Sequence, residues 1–219
     1  MVTPMTPDAE RTRYALRIWD GSGSVRGSAG EYYLAGRGLH LPDSLDGEVV
    51  RFHPACPCGG GEVRPALVVL FRRMAGDTPV AVQRIFITPD FKKLQAKMLG
   101  PVAGAAMKLT AHAATCCGAA EYYAPLLHVC EGFETGLALL MLGYAPVWAL
   151  GSAGAIERLL PLWFVGRVVV CADNDESRAG ERAAAEVKLT WGWRASAITT
   201  DKVGSDFADM VLRQAEAPL

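Results

Sequence analysis

From residue 125 onward, short apolar runs alternate with longer stretches of helical period. The pattern predicts strands over 126–130, 146–150, 166–172 and 194–199. Each is followed by a helix, over 134–143, 153–160, 178–190 and 206–214. The strand segments are apolar throughout, without a period of two, which predicts a parallel sheet covered by helices on both faces. Sheets of that kind bind ligands at the carboxyl ends of their strands.

The first half reads differently. Thr6 is placed as an N-cap, Pro7 as the first helical residue and Gly21 as the stop of a first helix. Ser28-Ala29-Gly30-Glu31 fits a capping box, and the helix it opens ends at Gly36 and Gly38. The runs 66–74 and 79–88, separated by Ala75-Gly76-Asp77-Thr78, predict a β-hairpin. RFHPACPCGGG is expected to be a Gly/Pro-rich surface loop. Its His53, Cys56 and Cys58 invite a zinc reading, but the Cys-x-Cys spacing is unusual and no second Cys pair lies at finger-like distance; Cys116-Cys117 is a poor remote partner. GAAMKLTAHAATCCGAA reads as a connector. The expected organisation is an α/β chain with a smaller α+β subdomain over 1–120 and the parallel-sheet domain over 121–219.

A chain of 219 residues, 51% of them hydrophobic, can bury a full core. Its net charge of −1 hides an asymmetry: residues 1–110 carry 14 Lys/Arg against 10 Asp/Glu, and the remainder 8 against 13. A basic half beside an acidic half suits an enzyme acting on a polyanion, although a charge of this size is also that of an ordinary solvated surface. Arg72, Arg73 and Arg84 lie on the predicted hairpin, with Lys92, Lys93 and Lys97 close behind. No secretory or membrane segment is visible, so a cytoplasmic protein is expected. Cys130 and Cys171 fall inside predicted core strands, where a free thiol acts as a small apolar group. No phosphate-binding glycine fingerprint or Walker lysine motif is present, which argues against an ATP-driven motor.

The chemistry concentrates in LLHVCEGFETGLALL and RVVVCADNDESRAGERAA. Glu131, Asp173 and Asp175 follow apolar strand runs, so three carboxylates are brought to one end of a sheet. Like charges so placed raise one another's pKa unless a cation neutralises them, and Mg2+, or Mn2+ in its place, takes hard oxygen ligands while sharing phosphates. Bland readings stand beside this one. Asp175 would serve as a helix-end charge, Glu134 complements a helix dipole, Asn174 shapes a turn, and Arg178 either contacts a phosphate or pairs with Glu176 or Glu181.

In order and spacing, EGFETGLAL, WALGSAG, CADNDESRAGERAAAE and GSDFADMV resemble the Toprim fold of bacterial primases, topoisomerases and certain nucleases, over roughly residues 125–212. YLAGRGL and QRIFITPDFKKLQAKMLGPV look like the basic subdomain that precedes Toprim in bacterial-type primases. The resemblance implies metal ligation by Asp173 and Asp175, with Glu131 as third ligand or general acid/base. It implies secondary or outer ligation by Asp206 and Asp209, and nucleic-acid or nucleotide contact by Arg84 and Lys97. It further implies primer synthesis on single-stranded DNA from NTPs, in a phage or other mobile element, alone or with a separate helicase. A Toprim nuclease and a non-catalytic nucleic-acid-binding module are the competing readings. There is no room for a topoisomerase's strand-passing domain.

Overall fold

The structure is a computed structural model that describes residues 6–110, 124–174, 177–202 and 204–216. Contacts divide the chain into two units, residues 1–36 with 41–107, and residues 37–40 with 108–219.

The first unit is an antiparallel sheet with a helix on each face. Its strands are β1 (Val50–Gly59), β2 (Glu62–Arg73), β3 (Pro79–Ile87) and β4 (Lys93–Leu99), paired in chain order. The end of β2 also pairs with the start of β5 (Ala105–Lys108), at Arg72 and Arg73. Helix α1 (Pro7–Asp20) starts as its sequence directs, with the Thr6 hydroxyl accepting from the Ala9 N–H, and it ends at Gly21. Its buried Ala15, Ile18 and Trp19 share a core with Cys56, Cys58, Ala66, Val68, Leu70, Val82 and Phe86. Helix α2 (Ala29–Gly36) packs on β2 and β3, so close that a Cβ on Gly30 would stand 2.5 Å from the Leu67 side chain. Coverage on both faces explains why β2 and β3 are buried at consecutive positions.

Two expectations change here. RFHPACPCGG is not a loop; it is β1, an edge strand whose register slips between His53 and Cys56 and again between Pro57 and Gly59. Those slips accommodate prolines in the strand. The capping box at α2 is shifted: the Ser28 hydroxyl accepts from the Gly30 N–H, but the Glu31 carboxylate accepts from Gly27 at 2.6 Å and also takes Arg26. KLQAKML, which the sequence reading assigned to the basic subdomain without a strand, is β4, and the connector segment opens with β5; residues 111–123 lie outside the described residues.

The second unit alternates β6 (Ala124–Cys130), α3 (Phe133–Met141), β7 (Val147–Ala149), α4 (Ala153–Glu157), β8 (Val165–Ala172), α5 (Ala179–Trp191), β9 (Ala195–Thr199) and α6 (Phe207–Glu216). These four strands are parallel, in the order β7-β6-β8-β9. The chain leaves β6 toward β7 and later returns past it to β8, so right-handed crossovers put α3 on one face and α4 and α5 on the other. Contacts agree, with α3 against α6 and α4 against α5. The carboxyl ends of β6 and β8 are therefore the point where successive loops part to opposite faces, the crevice where open α/β sheets bind ligands.

Candidate active site at the carboxyl ends of β6 and β8

Val129 is in register with Val170, so the residues that follow the two strands emerge side by side. Glu131 follows β6 and is exposed; Asp173 follows β8 and is half-buried. The Glu131 backbone is pinned from the next loop, where Gly151 donates its N–H to the Glu131 carbonyl at 2.8 Å. Gly151 does so with φ of 91°, a conformation in which a Cβ is strained. On the other side, Gly180 lets α5 start against the strand end. A Cβ there would stand 2.8 Å from that of Ala172 and 3.2 Å from the Asp173 carbonyl.

Helix α3 supplies two further residues. Thr135, buried, donates its hydroxyl to Asp173 Oδ2 at 3.3 Å. Glu134 is only 5% exposed, in the first turn of a helix whose residues 133–139 are all buried. The partial positive charge of a helix N-terminus favours a carboxylate at that position. The acids of the cluster stand beside two buried thiols. Burial first, and then the charge of Asp173, pushes Cys171 up to about 12. Cys130 is driven well above the ordinary thiol range by burial, then by Cys171 and by the acids Asp173, Glu131 and Glu134. Hard oxygen donors in a negative crevice, one fixed by a hydroxyl and one open to solvent, match what a hard divalent cation requires. Among the described residues, no group of three His, Cys, Asp or Glu forms a complete metal cage; Asp175, the third carboxylate expected from the sequence, lies outside those residues.

Asn174 ties this loop to the next one. It bridges Ser205, its carbonyl accepts from the Gly204 N–H, and its side-chain amide donates to the Thr200 carbonyl at 2.9 Å. Asp206 stands beside that bridge. Its Oδ1 accepts from the Asp209 N–H and Asp209 Oδ2 accepts from the Asp206 N–H, a reciprocal cap on α6, while Oδ2 of Asp206 pairs with Arg37 at 2.5 Å. Arg178, at the start of α5, engages Glu181 through two of its nitrogens.

In the first unit, Arg84 on β3 faces Lys97 on β4 in direct register. Arg84 is 8% exposed and donates to the Pro57 carbonyl at 2.7 Å; Lys97 is exposed and reaches the Cys58 carbonyl at 3.0 Å. Both cations thus brace β1. Beside them, burial pushes Cys56 up to about 11, against the opposing pull of Arg84. Arg72 pairs with Asp77, Arg73 donates to the Ala103 carbonyl, Lys92 pairs with Asp90 at 3.1 Å, and Lys93 is exposed.

Sequence reasoning weighed a dipole role for Glu134 against a catalytic one, noted Gly151 as a close backbone approach, and passed over Thr135 and Arg37. The signal for Glu134 and Thr135 was the Glu-x-x-Glu-Thr spacing in EGFET, which places residues 131, 134 and 135 around one helix start.

Residues 126–217, which include this switch-point crevice, match the Toprim domain family, and the chain carries a Toprim domain. Residues 9–109 match a domain of unknown function, DUF7146. Among solved structures, the chain resembles a DNA primase domain from Pseudomonas aeruginosa, with TM-score 0.64 and 16% identity over 93% of this chain and 74% of that one. It resembles the primase fragment of the bacteriophage T7 primase-helicase, with TM-score 0.54 and 17% identity over 88% and 68%. A DnaG primase catalytic domain bound to single-stranded DNA matches with TM-score 0.56 and 16% identity over 94% and 79%. The fold is that of primase catalytic cores. Comparison with the curated proteins gives no match. Among the described residues, no helix is long and apolar enough to cross a membrane.

Proposed function

We propose that this chain is a primase-like nucleotidyltransferase that builds primers from NTPs on single-stranded DNA. The observation that carries the reading is the pairing of Glu131 and Asp173 at the switch point of a Toprim domain, within a fold similar to primase catalytic cores. One of those cores was solved bound to single-stranded DNA, and the phage T7 primase domains with an RNA/DNA hybrid and dTTP.

Asp173, Asp175 and Glu131 would hold Mg2+ or Mn2+. The bound ion would neutralise phosphate oxygens and activate the 3′-hydroxyl. Thr135 fixes the Asp173 carboxylate through its hydroxyl, and Glu134 keeps the potential negative from the buried end of α3. Gly151 holds the backbone from which Glu131 projects. Asp206, beside the Asn174–Ser205 bridge, serves the site from outside the ligand shell, with Asp209 capping its helix. Lys97, Lys92 and Lys93 contribute phosphate contacts, and Arg84, beside Lys97, braces β1. Residues 1–120 act as the basic subdomain, and the protein operates in a mobile element beside a separate helicase.

The test is incubation of the purified chain with single-stranded DNA, labelled NTPs and Mg2+ or Mn2+. Oligonucleotide products are expected from the wild type and not from Asp173→Ala. Metal-dependent cleavage without incorporation would assign the same acids to a nuclease, and DNA binding with neither reaction would leave a binding module.

A further inference from the structure

Two aromatic rings stand exposed against each other on the first unit. Tyr32 of α2 and Phe91, in the turn between β3 and β4, are 57% and 44% exposed, with ring centroids 5.1 Å apart and planes inclined by 31°. Phe91 has φ of 58°, in the left-handed region that suits Gly or Asn and strains a bulky side chain. The turn holds it there. The Phe91 N–H donates to the Thr88 carbonyl at 3.0 Å, the Thr88 N–H to the Lys92 carbonyl at 2.9 Å, and the Lys92 N–H to the Thr88 hydroxyl at 3.0 Å. Gly or Asn would close the same turn without strain, so the turn does not account for a phenyl ring. Nor does the core, since the ring is exposed. A strained residue kept in place by its surroundings points to a use for its side chain.

Strand register places a cation on the same face. Leu67, against which Gly30 of α2 packs, is paired with Ile85, so Ile85 and Ile87 face α2. Lys93 is the partner of Ile87 on β4, and paired residues share a face. Lys93 therefore leaves β4 on the side that α2 occupies, and it is exposed. The acids next to each ring in the chain are already engaged: Glu31 accepts from Arg26 and from the Gly27 N–H, and Asp90 pairs with Lys92 at 3.1 Å. Two rings are too little surface for a folded partner, whose contact takes roughly 20–30 residues a side. They match one planar base, which stacks on an aromatic face whatever its identity, beside a cation for the neighbouring phosphate. Resting on the reading that the chain works on single-stranded DNA, we propose that Tyr32 and Phe91 form a stacking platform for one unpaired base of that strand, with Lys93 on the adjoining phosphate.

Fluorescence anisotropy with the full chain tests this on two labelled strands of equal length: oligo-dT, and an abasic strand with the same phosphates and no bases. Phe91→Asn suits a left-handed turn, and Tyr32→Leu keeps the bulk of the side chain; circular dichroism and thermal melts check both folds. Loss of a base–aromatic stack should weaken oligo-dT binding about fivefold or more in each variant and leave binding of the abasic strand unchanged. Tyr32→Phe should bind as the wild type does. Lys93→Ala should instead weaken both strands alike and reduce the salt slope by about 0.7. Equal oligo-dT binding by the wild type and both ring variants overturns the proposal. So does an equal loss on the abasic strand, which would give the rings a structural role. Loss of self-association in sedimentation, with oligo-dT binding intact, also overturns it and assigns the rings to a protein contact. Failure here and failure of primer synthesis are separable. Ring-dependent binding without synthesis leaves the platform standing, whereas synthesis with ring-independent binding removes the platform alone.

Discussion

At the scale of single residues, the acids differ in how visible they were. Glu131 and Asp173 stand at the ends of apolar runs, where a charge cannot belong to the strand, so position alone exposed them. Glu134 looked like any acid at a helix start, because nothing local distinguishes a helix whose whole first turn is buried. Thr135 was hidden for the same reason, and it offers the sharper test. Thr135→Val keeps volume and β-branching but removes the donor to Asp173. A hydrogen bond to a charged group contributes about 1.5–3 kcal/mol, so primer synthesis should fall roughly tenfold or more, with a melting temperature near that of the wild type. Equal synthesis by the two proteins would remove Thr135 from the site. His128 makes a second prediction. It is buried on β6, its Nδ1–H donates to the Pro146 carbonyl at 3.2 Å, and burial holds its pKa below the usual 6.5. A depressed folded-state pKa gives stability that is fully present above 6.5 and is lost as pH falls through the folded value. Thermal melts should therefore decline below pH 6.5, and His128→Gln, which cannot take up that proton, should flatten the decline.

Secondary-structure elements were legible where pattern and backbone demands agree. The βα alternation of the second unit announced itself because buried parallel strands and amphipathic helices leave opposite periods in the sequence. Strand β1 did not. Pro54, Pro57 and its glycines are turn residues by composition, and only pairing with β2, with bulges to absorb them, makes that segment a strand. Close approaches are equally silent in sequence, since Gly180 sits in a helix with nothing beside it to announce the strand end it touches. Gly180→Val should force α5 off Ala172 and the Asp173 carbonyl. Overpacking of this kind costs about 1–3 kcal/mol, readable in urea melts, and synthesis should fall further than stability alone dictates because Asp173 shifts. A variant as stable and active as the wild type would show that the helix start is free to move. At α6 the reciprocal cap of Asp206 and Asp209 predicts that Asp209→Ala lowers stability by about 0.5–2 kcal/mol through the lost cap. If Asp209 held metal directly, the same change would instead raise the Mg2+ concentration needed for half-maximal synthesis.

For the molecule as a whole, the charge asymmetry states a physical expectation that no single contact carries. Residues 1–110 hold a net +4 and the remainder a net −5, so backbone phosphates should be attracted to the first part and divalent cations to the second. Binding of single-stranded DNA should then weaken with salt, and each cation that neutralises a phosphate should contribute about 0.7 to the slope of log K against log salt. Lys97 discriminates well, because it has two roles to choose between. As a phosphate contact, Lys97→Ala should reduce the slope by about 0.7 and weaken binding to every sequence alike. As a brace for the Cys58 carbonyl alone, it should leave the slope unchanged and lower the melting temperature instead. Lys97→Arg separates the two further, since it restores the charge while altering the reach to Cys58. Asp173→Ala is the necessary companion measurement. Loss of an acid at the reaction centre should abolish synthesis while leaving the salt slope of DNA binding intact, and a changed slope there would mean that the acidic crevice also governs how the strand is held.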